Sequence, residues 1–96
     1  MLKNTHIISM IKSNIEAFDA FYRVYLFGSV IDSDCYHDID LLVIYETCPS
    51  KNETSLLIEQ LSNLLNCPID ATFLSIDEER KLQFSNKIKE KCLQIK

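Results

Sequence analysis

One run constrains the fold of this chain more than any other: Asp38-Ile39-Asp40-Leu41-Leu42-Val43-Ile44-Tyr45, apolar without interruption from Leu41 to Tyr45. In an extended strand, successive side chains point to opposite faces. Ile39, Leu41 and Val43 then face one way; Asp38, Asp40, Leu42 and Ile44 face the other. A strand apolar on both faces has to be covered on both, so it belongs in the middle of a sheet. A chain of 96 residues can build one modest core around such a strand, and a single domain over residues 1–96 is expected.

The flanking patterns supply the rest of the sheet and its cover. Ile7, Ile8, Ile11, Ile15 and Phe18 lie at helical spacing, predicting a helix from about His6 to Tyr22. Val24-Tyr25-Leu26-Phe27 reads as a short strand ended by Gly28. After Pro49, Ser50-Lys51-Asn52-Glu53 has the form of a capping box and opens a helix with Leu57, Ile58, Leu61, Leu64 and Leu65 on its apolar stripe. Asn66-Cys67-Pro68 stops it, and Ile69 to Leu74 reads as a third strand. Ser75-Ile76-Asp77-Glu78 is a second capping box. The helix it opens is expected to carry Leu82, Ile88, Cys92 and Ile95. The order α-β-β-α-β-α describes an α/β (α+β) domain, a small mixed sheet covered by helices.

Several classes of function are excluded or disfavoured. No apolar run approaches the roughly 20 residues of a membrane span, and nothing after Met1-Leu2-Lys3 resembles the apolar core of a signal peptide. With 10 Lys+Arg against 14 Asp+Glu, the formal charge is −4, which disfavours broad nucleic-acid binding. Five of the eight lysines fall between Lys81 and Lys96, a pattern read as a solvated helix face. Cys35, Cys48, Cys67 and Cys92 include no C-x-x-C pair. They read as reduced thiols of a cytoplasmic protein, not as a zinc or redox motif.

Three features bear on chemistry. Gly28 is the only glycine, in a chain where average usage of about 7% would give several. It sits between a strand and Ser29, either as a turn residue or where backbone approaches a ligand. Asp38 and Asp40, two apart on a strand, share a face. They are either a solvated pair at the strand entrance or a repelling pair that calls for a hard divalent cation. Asp70 opens the third strand. It is either a turn residue after Pro68 or, if its strand neighbours that of Asp40 at about 4.8 Å, a third carboxylate at one point, suited to phosphoryl displacement at two metals. Asp32-x-Asp34 does not open a calcium loop, because His37 stands where glycine is needed and Val43 where glutamate is needed. His6, and His37 beside Cys35, read as ordinary side chains.

Leu26-Phe27-Gly28-Ser29, eight residues, then Asp38-Ile39-Asp40-Leu41-Leu42-Val43, with Asp70 on a later strand, resembles the signature of the DNA polymerase beta-like nucleotidyltransferase superfamily. The pattern is most similar to its small prokaryotic members, the minimal nucleotidyltransferase (MNT) domains. The resemblance implies that Asp38, Asp40 and Asp70 bind two Mg²⁺ ions, with Asp70 also orienting or deprotonating the attacking hydroxyl. Gly28 and Ser29 would hold the β- and γ-phosphates of ATP, and AMP would pass to an acceptor hydroxyl with release of pyrophosphate. Larger relatives carry a helical acceptor-binding domain, which is not expected within these residues. Stand-alone MNT proteins pair with HEPN-domain toxins, and some transfer AMP to a toxin tyrosine. The resemblance therefore implies an antitoxin of such a pair. Two alternatives are a decayed module that neutralises its partner by binding alone, and transfer to a small-molecule acceptor.

One departure stands out. Many relatives have an Arg-containing stretch and a second glycine after the Gly-Ser pair, where this chain has Val30-Ile31-Asp32-Ser33-Asp34. That loop brings carboxylates, not a cation, towards a polyanionic nucleotide; Arg23 and Lys51 are candidate substitutes. Tyr22, Tyr25, Tyr36 and Tyr45 are candidates for a partner surface, with Tyr25 and Tyr45 expected in the core. A homodimer through a sheet edge is a further candidate.

Overall fold

The computed structural model of the protein describes residues 3–31, 33, 34, 36–83 and 92–96. In chain order the elements are α1 (Asn4–Ser13), a 3-10 turn (Ile15–Phe18), β1 (Arg23–Phe27), a second 3-10 turn (Ser29–Ile31) and β2 (Ile39–Tyr45). They continue with α2 (Lys51–Leu65), β3 (Ile69–Ser75), α3 (Ile76–Leu82) and β4 (Cys92–Gln94). The sheet order is β3-β2-β1-β4. β1 is antiparallel to β2 and β4, whereas β2 and β3 run parallel. A parallel pair needs a crossover, and α2 supplies it. This is the expected mixed α/β sheet, with β2 inside it.

β2 shows the expected division of its faces. Ile39, Leu41 and Val43 join Ile7, Ile11, Phe18, Val24, Leu26, Leu57, Leu61 and Leu65 in the larger core, under the helical layer. On the opposite face Leu42 and Ile44 form a second cluster with Leu74, packed by Tyr25, Phe27 and Ile76.

Both predicted caps are present. Ser50 Oγ accepts from the Glu53 amide at 3.1 Å. At its other end α2 stops on Asn66 in the left-handed region (φ 50°), a conformation that asparagine tolerates better than most residues. At α3 the box is reciprocal: the Glu78 amide donates to Ser75 Oγ at 3.1 Å and the Ser75 amide to Glu78 Oε1 at 3.0 Å. These bonds hold the Glu78 carboxyl below its ordinary range.

Two expectations are corrected. The first helix is not continuous to Tyr22, because it breaks at Asn14 into a 3-10 turn. Ser13 Oγ donates to the Ser9 carbonyl and Asn14 Nδ2 to the Met10 carbonyl, side-chain bonds that compete with continuation of the helix. Phe18 still reaches the core, whereas Ile15 is turned out, 42% exposed. The second correction concerns the last segment. α3 ends at Leu82, on Gln83 with φ 49°, and Leu82 is 48% exposed. Cys92 to Gln94 form β4, paired with β1 through Phe27↔Cys92, Leu26↔Leu93 and Tyr25↔Gln94. A three-stranded sheet would leave the outer backbone groups of β1 without partners, and β4 satisfies them. Ile95 lies in the larger core, with Leu93 packed against it. Ile88 lies outside the described residues. The Lys96 ammonium donates to the carbonyls of Phe18, Asp19 and Phe21 at 2.9, 3.2 and 2.5 Å, so it does not belong to a solvated helix face.

Candidate active site

Register brings the three aspartates together. Asp40 sits opposite Phe27 in the antiparallel pair and opposite Asp70 in the parallel pair. The end of β1 and the beginnings of β2 and β3 therefore meet at one end of the sheet. Asp38 lies one residue before β2 and Asp70 one residue into β3. One carboxylate oxygen from each of Asp38, Asp40 and Asp70 lies within 4.8 Å of the other two.

Such a cluster is electrostatically frustrated without a counter-charge. The Asp40 carboxyl is raised above its ordinary range, first by burial and then by the charges of Asp38 and Asp70. Each cause disfavours the ionised form. Oxygen donors only, converging from three carboxylates, suit a hard divalent cation. The residues present thus fit a group of the Mg²⁺ class.

Gly28 belongs to the same structure. Its φ is +85°, in the region that side chains rarely adopt. A Cβ built there would run into Asp40 Oδ2. The lone glycine is therefore more than a turn residue: the place a side chain would take is occupied by the Asp40 carboxylate. Ser29, exposed, starts the 3-10 turn directly beyond it.

The start of β2 is pinned from the α2–β3 turn. The Ile39 amide donates to the Pro68 carbonyl at 2.9 Å, and the Cys67 thiol to the His37 carbonyl at 3.7 Å. These bonds flank Asp38. The Cys67 thiol is pushed up by burial and by the charge of Asp38. Sequence reasoning treated Asn66-Cys67-Pro68 only as a helix stop; the bonds reach across the fold and leave no local signal.

Other candidates fall elsewhere. Arg23 pairs with Ile44, four positions along β1 from Phe27, or roughly 13 Å at the usual rise. Its guanidinium lies 5.2 Å from the centroid of the Tyr22 ring, and it is raised mainly by hydrogen bonding to Tyr25. Lys51 opens α2 beyond the far end of β2. Neither supplies a cation at the aspartates. Tyr36 is buried, Tyr25 and Tyr45 are half-buried, and Tyr22 is exposed. Cys48, Cys67 and Cys92 are free thiols; Asp32 and Cys35 lie outside the described residues. Among the described residues no helix is long and apolar enough to cross a membrane.

Comparison with known proteins adds to this geometry. No curated protein sequence matches the chain. Among solved structures, a mutant of the toxin–antitoxin complex MntA–HpeT is similar with a TM-score of 0.59 at 18% identity, over 99% of this chain and 73% of that one. A tri-AMPylated HEPN toxin of Shewanella oneidensis in complex with its MNT antitoxin gives 0.52 at 19%, over 98% and 69%. A toxin–antitoxin structure with AMP-PNP gives 0.57 at 20%, over 99% and 73%. At these identities the likeness establishes the fold. The sequence profile described as polymerase beta, nucleotidyltransferase matches residues 7–96, nearly the whole chain, and the chain belongs to that nucleotidyltransferase family.

Proposed function

We propose that this protein is a Mg²⁺-dependent nucleotidyltransferase that moves AMP from ATP onto a hydroxyl of a partner protein, as the antitoxin of an MNT/HEPN pair in the cytoplasm. Residues 1–96 form one minimal nucleotidyltransferase domain in this reading. The observation that carries it is the convergence of Asp38, Asp40 and Asp70 at the strand ends beside Gly28. The AMPylated HEPN toxin bound to an MNT antitoxin, and the complex with AMP-PNP, support the partner and the nucleotide.

The chemistry follows from charge and position. Asp38, Asp40 and Asp70 would hold two Mg²⁺ ions, whose charge would offset that of the phosphate oxygens and of the leaving pyrophosphate. Gly28, lacking a side chain, leaves room for the Asp40 carboxylate, and the backbone of its turn together with the Ser29 hydroxyl would hold the β- and γ-phosphates. Asp70 accepts the proton of the acceptor hydroxyl, whose oxygen forms a bond to the α-phosphorus. The bond from that phosphorus to the bridging oxygen breaks, and pyrophosphate leaves with the electron pair. The chain contributes mainly placement and electrostatics.

The test is transfer of label from α-labelled ATP, with Mg²⁺, to the product of the adjoining gene. Labelling of that protein is expected, with loss in Asp38→Ala and Asp40→Ala. Neutralisation of the partner without labelling would replace this reading with occlusion by binding alone, which the absence of a basic residue from residues 30–34 favours. Labelling of a small molecule instead would point to the remaining alternative.

A further inference from the structure

The loop that departs from the family pattern is tied to the first helix. α1 begins after Lys3, which makes no side-chain cap. The missing cap comes from thirty residues away: Asp34 Oδ1 accepts from the Asn4 amide at 2.7 Å. Asn4 reciprocates, its Nδ2 donating to the Ile31 carbonyl at 3.2 Å. Two hydrogen bonds thus join one residue of α1 to both sides of the loop. α1 is itself fixed, because Ile7 and Ile11 are fully buried.

The other end of this linkage is the Gly28–Ile31 turn. The Ile31 amide donates to the Gly28 carbonyl at 3.2 Å and the Ser33 amide to the Ser29 carbonyl at 3.0 Å. Val30, between them, is 1% exposed in the larger core. The turn that presents Ser29 is therefore held from below by Val30 and from the side by Asn4. Asp34 faces the amino end of α1, where the helix dipole favours an anion.

We propose that Asn4 and Asp34 are positioning residues: they latch the Gly28–Ile31 turn to α1 and so place Gly28 and Ser29 for the phosphates of the nucleotide. The inference rests on the reading that Gly28 and Ser29 hold those phosphates. It assigns Asp34 a role opposite to the one its charge alone suggests. A free carboxylate near a polyanion weakens binding, and removing it tightens binding. A latch carboxylate strengthens binding by ordering the turn in advance.

The two roles predict opposite signs. Binding of a non-hydrolysable ATP analogue with Mg²⁺ is measured by calorimetry for the wild type, Asp34→Asn, Asp34→Ala and Asn4→Ala. Asp34→Asn keeps an acceptor oxygen and loses the charge; Asp34→Ala loses both. The latch predicts that Asp34→Ala weakens binding about three- to tenfold, as for loss of one hydrogen bond, although a negative charge has gone. Asn4→Ala weakens it comparably, and Asp34→Asn binds as well as the wild type or more tightly. Amide hydrogen exchange at Ser29, Val30 and Ile31, read without nucleotide, accelerates in the two alanine variants and not in Asp34→Asn. If Asp34→Ala is too unstable to measure, Asn4→Ala carries the comparison. Tighter or unchanged binding in the alanine variants overturns the latch while leaving the proposed function standing. A wild type that does not bind the analogue overturns both.

Discussion

Replacing Gly28 by alanine adds one methyl group and sets it against two obstacles. The first is local: φ is +85°, and left-handed backbone costs a residue with a Cβ about 1–2 kcal/mol. The second is remote in sequence: the new methyl meets Asp40 Oδ2, so the carboxylate must rotate off its preferred geometry, at about 0.5–1.5 kcal/mol. Together the substitution destabilises the protein by roughly 1.5–3.5 kcal/mol. For a domain of this size that lowers the melting temperature by roughly 6–28 °C. Urea unfolding followed by far-ultraviolet circular dichroism measures it. The parts separate in a double-mutant cycle with Asp40→Ala, because truncating Asp40 removes the second obstacle and leaves the first. A coupling of about 0.5–1.5 kcal/mol is expected, with Gly28→Ala costing less in the Asp40→Ala background. Additivity within about 0.3 kcal/mol would refute the claim that glycine is required at this place by the aspartate.

Three further outcomes are expected. Asp40→Asn stabilises the metal-free protein near neutral pH, because it removes the charge that burial, Asp38 and Asp70 disfavour. It is also expected to lose the stabilisation proposed for Mg²⁺ on the wild type, about 2.7 kcal/mol at one hundred times the dissociation constant; differential scanning calorimetry with and without Mg²⁺ reads both. Ile95→Ala costs about 2–5 kcal/mol as a core truncation while Ile15→Ala stays within about 0.5 kcal/mol; equal costs by urea unfolding would contradict the assignment of β4 and the break after α1. The Glu78 carboxyl lies below its ordinary value near 4.5, so its contribution is complete above that value and is lost as pH falls through the folded-state value. Glu78→Gln should flatten the stability profile in that acidic window, with thermal melts from pH 5 to about 3 as the check.

The extent to which the sequence revealed this architecture follows from the range of the interactions. The two-faced character of β2 depends only on period-two alternation, so Ile39 through Ile44 could be assigned to their faces directly. The caps at Ser50 and Ser75 span three residues and were equally visible. The meeting of Asp40 with Asp70 depends on register across a crossover, so the residues alone made it a conditional statement. The break at Asn14 turns on side-chain bonds by Ser13 and Asn14 that helical spacing of isoleucines does not report. β4 was missed because its partner, β1, is some 65 residues earlier and because Cys92 and Ile95 also fit a helical stripe. Asp34 looked like a charge beside the nucleotide; its bond to Asn4 spans the loop and the first helix, and no local pattern encodes it.

The late arrival of β4 has a consequence for synthesis. The strands that bring the aspartates together are complete at Ser75, whereas the outer edge of β1 is paired with residues 92–96. At about 5–20 residues per second, synthesis takes on the order of a second or more to pass from Ser75 to Cys92, with the strands of the aspartates already made and the edge strand not yet made. Until the last strand docks, the outer edge of β1 is an unpaired template to which a strand of another chain could add.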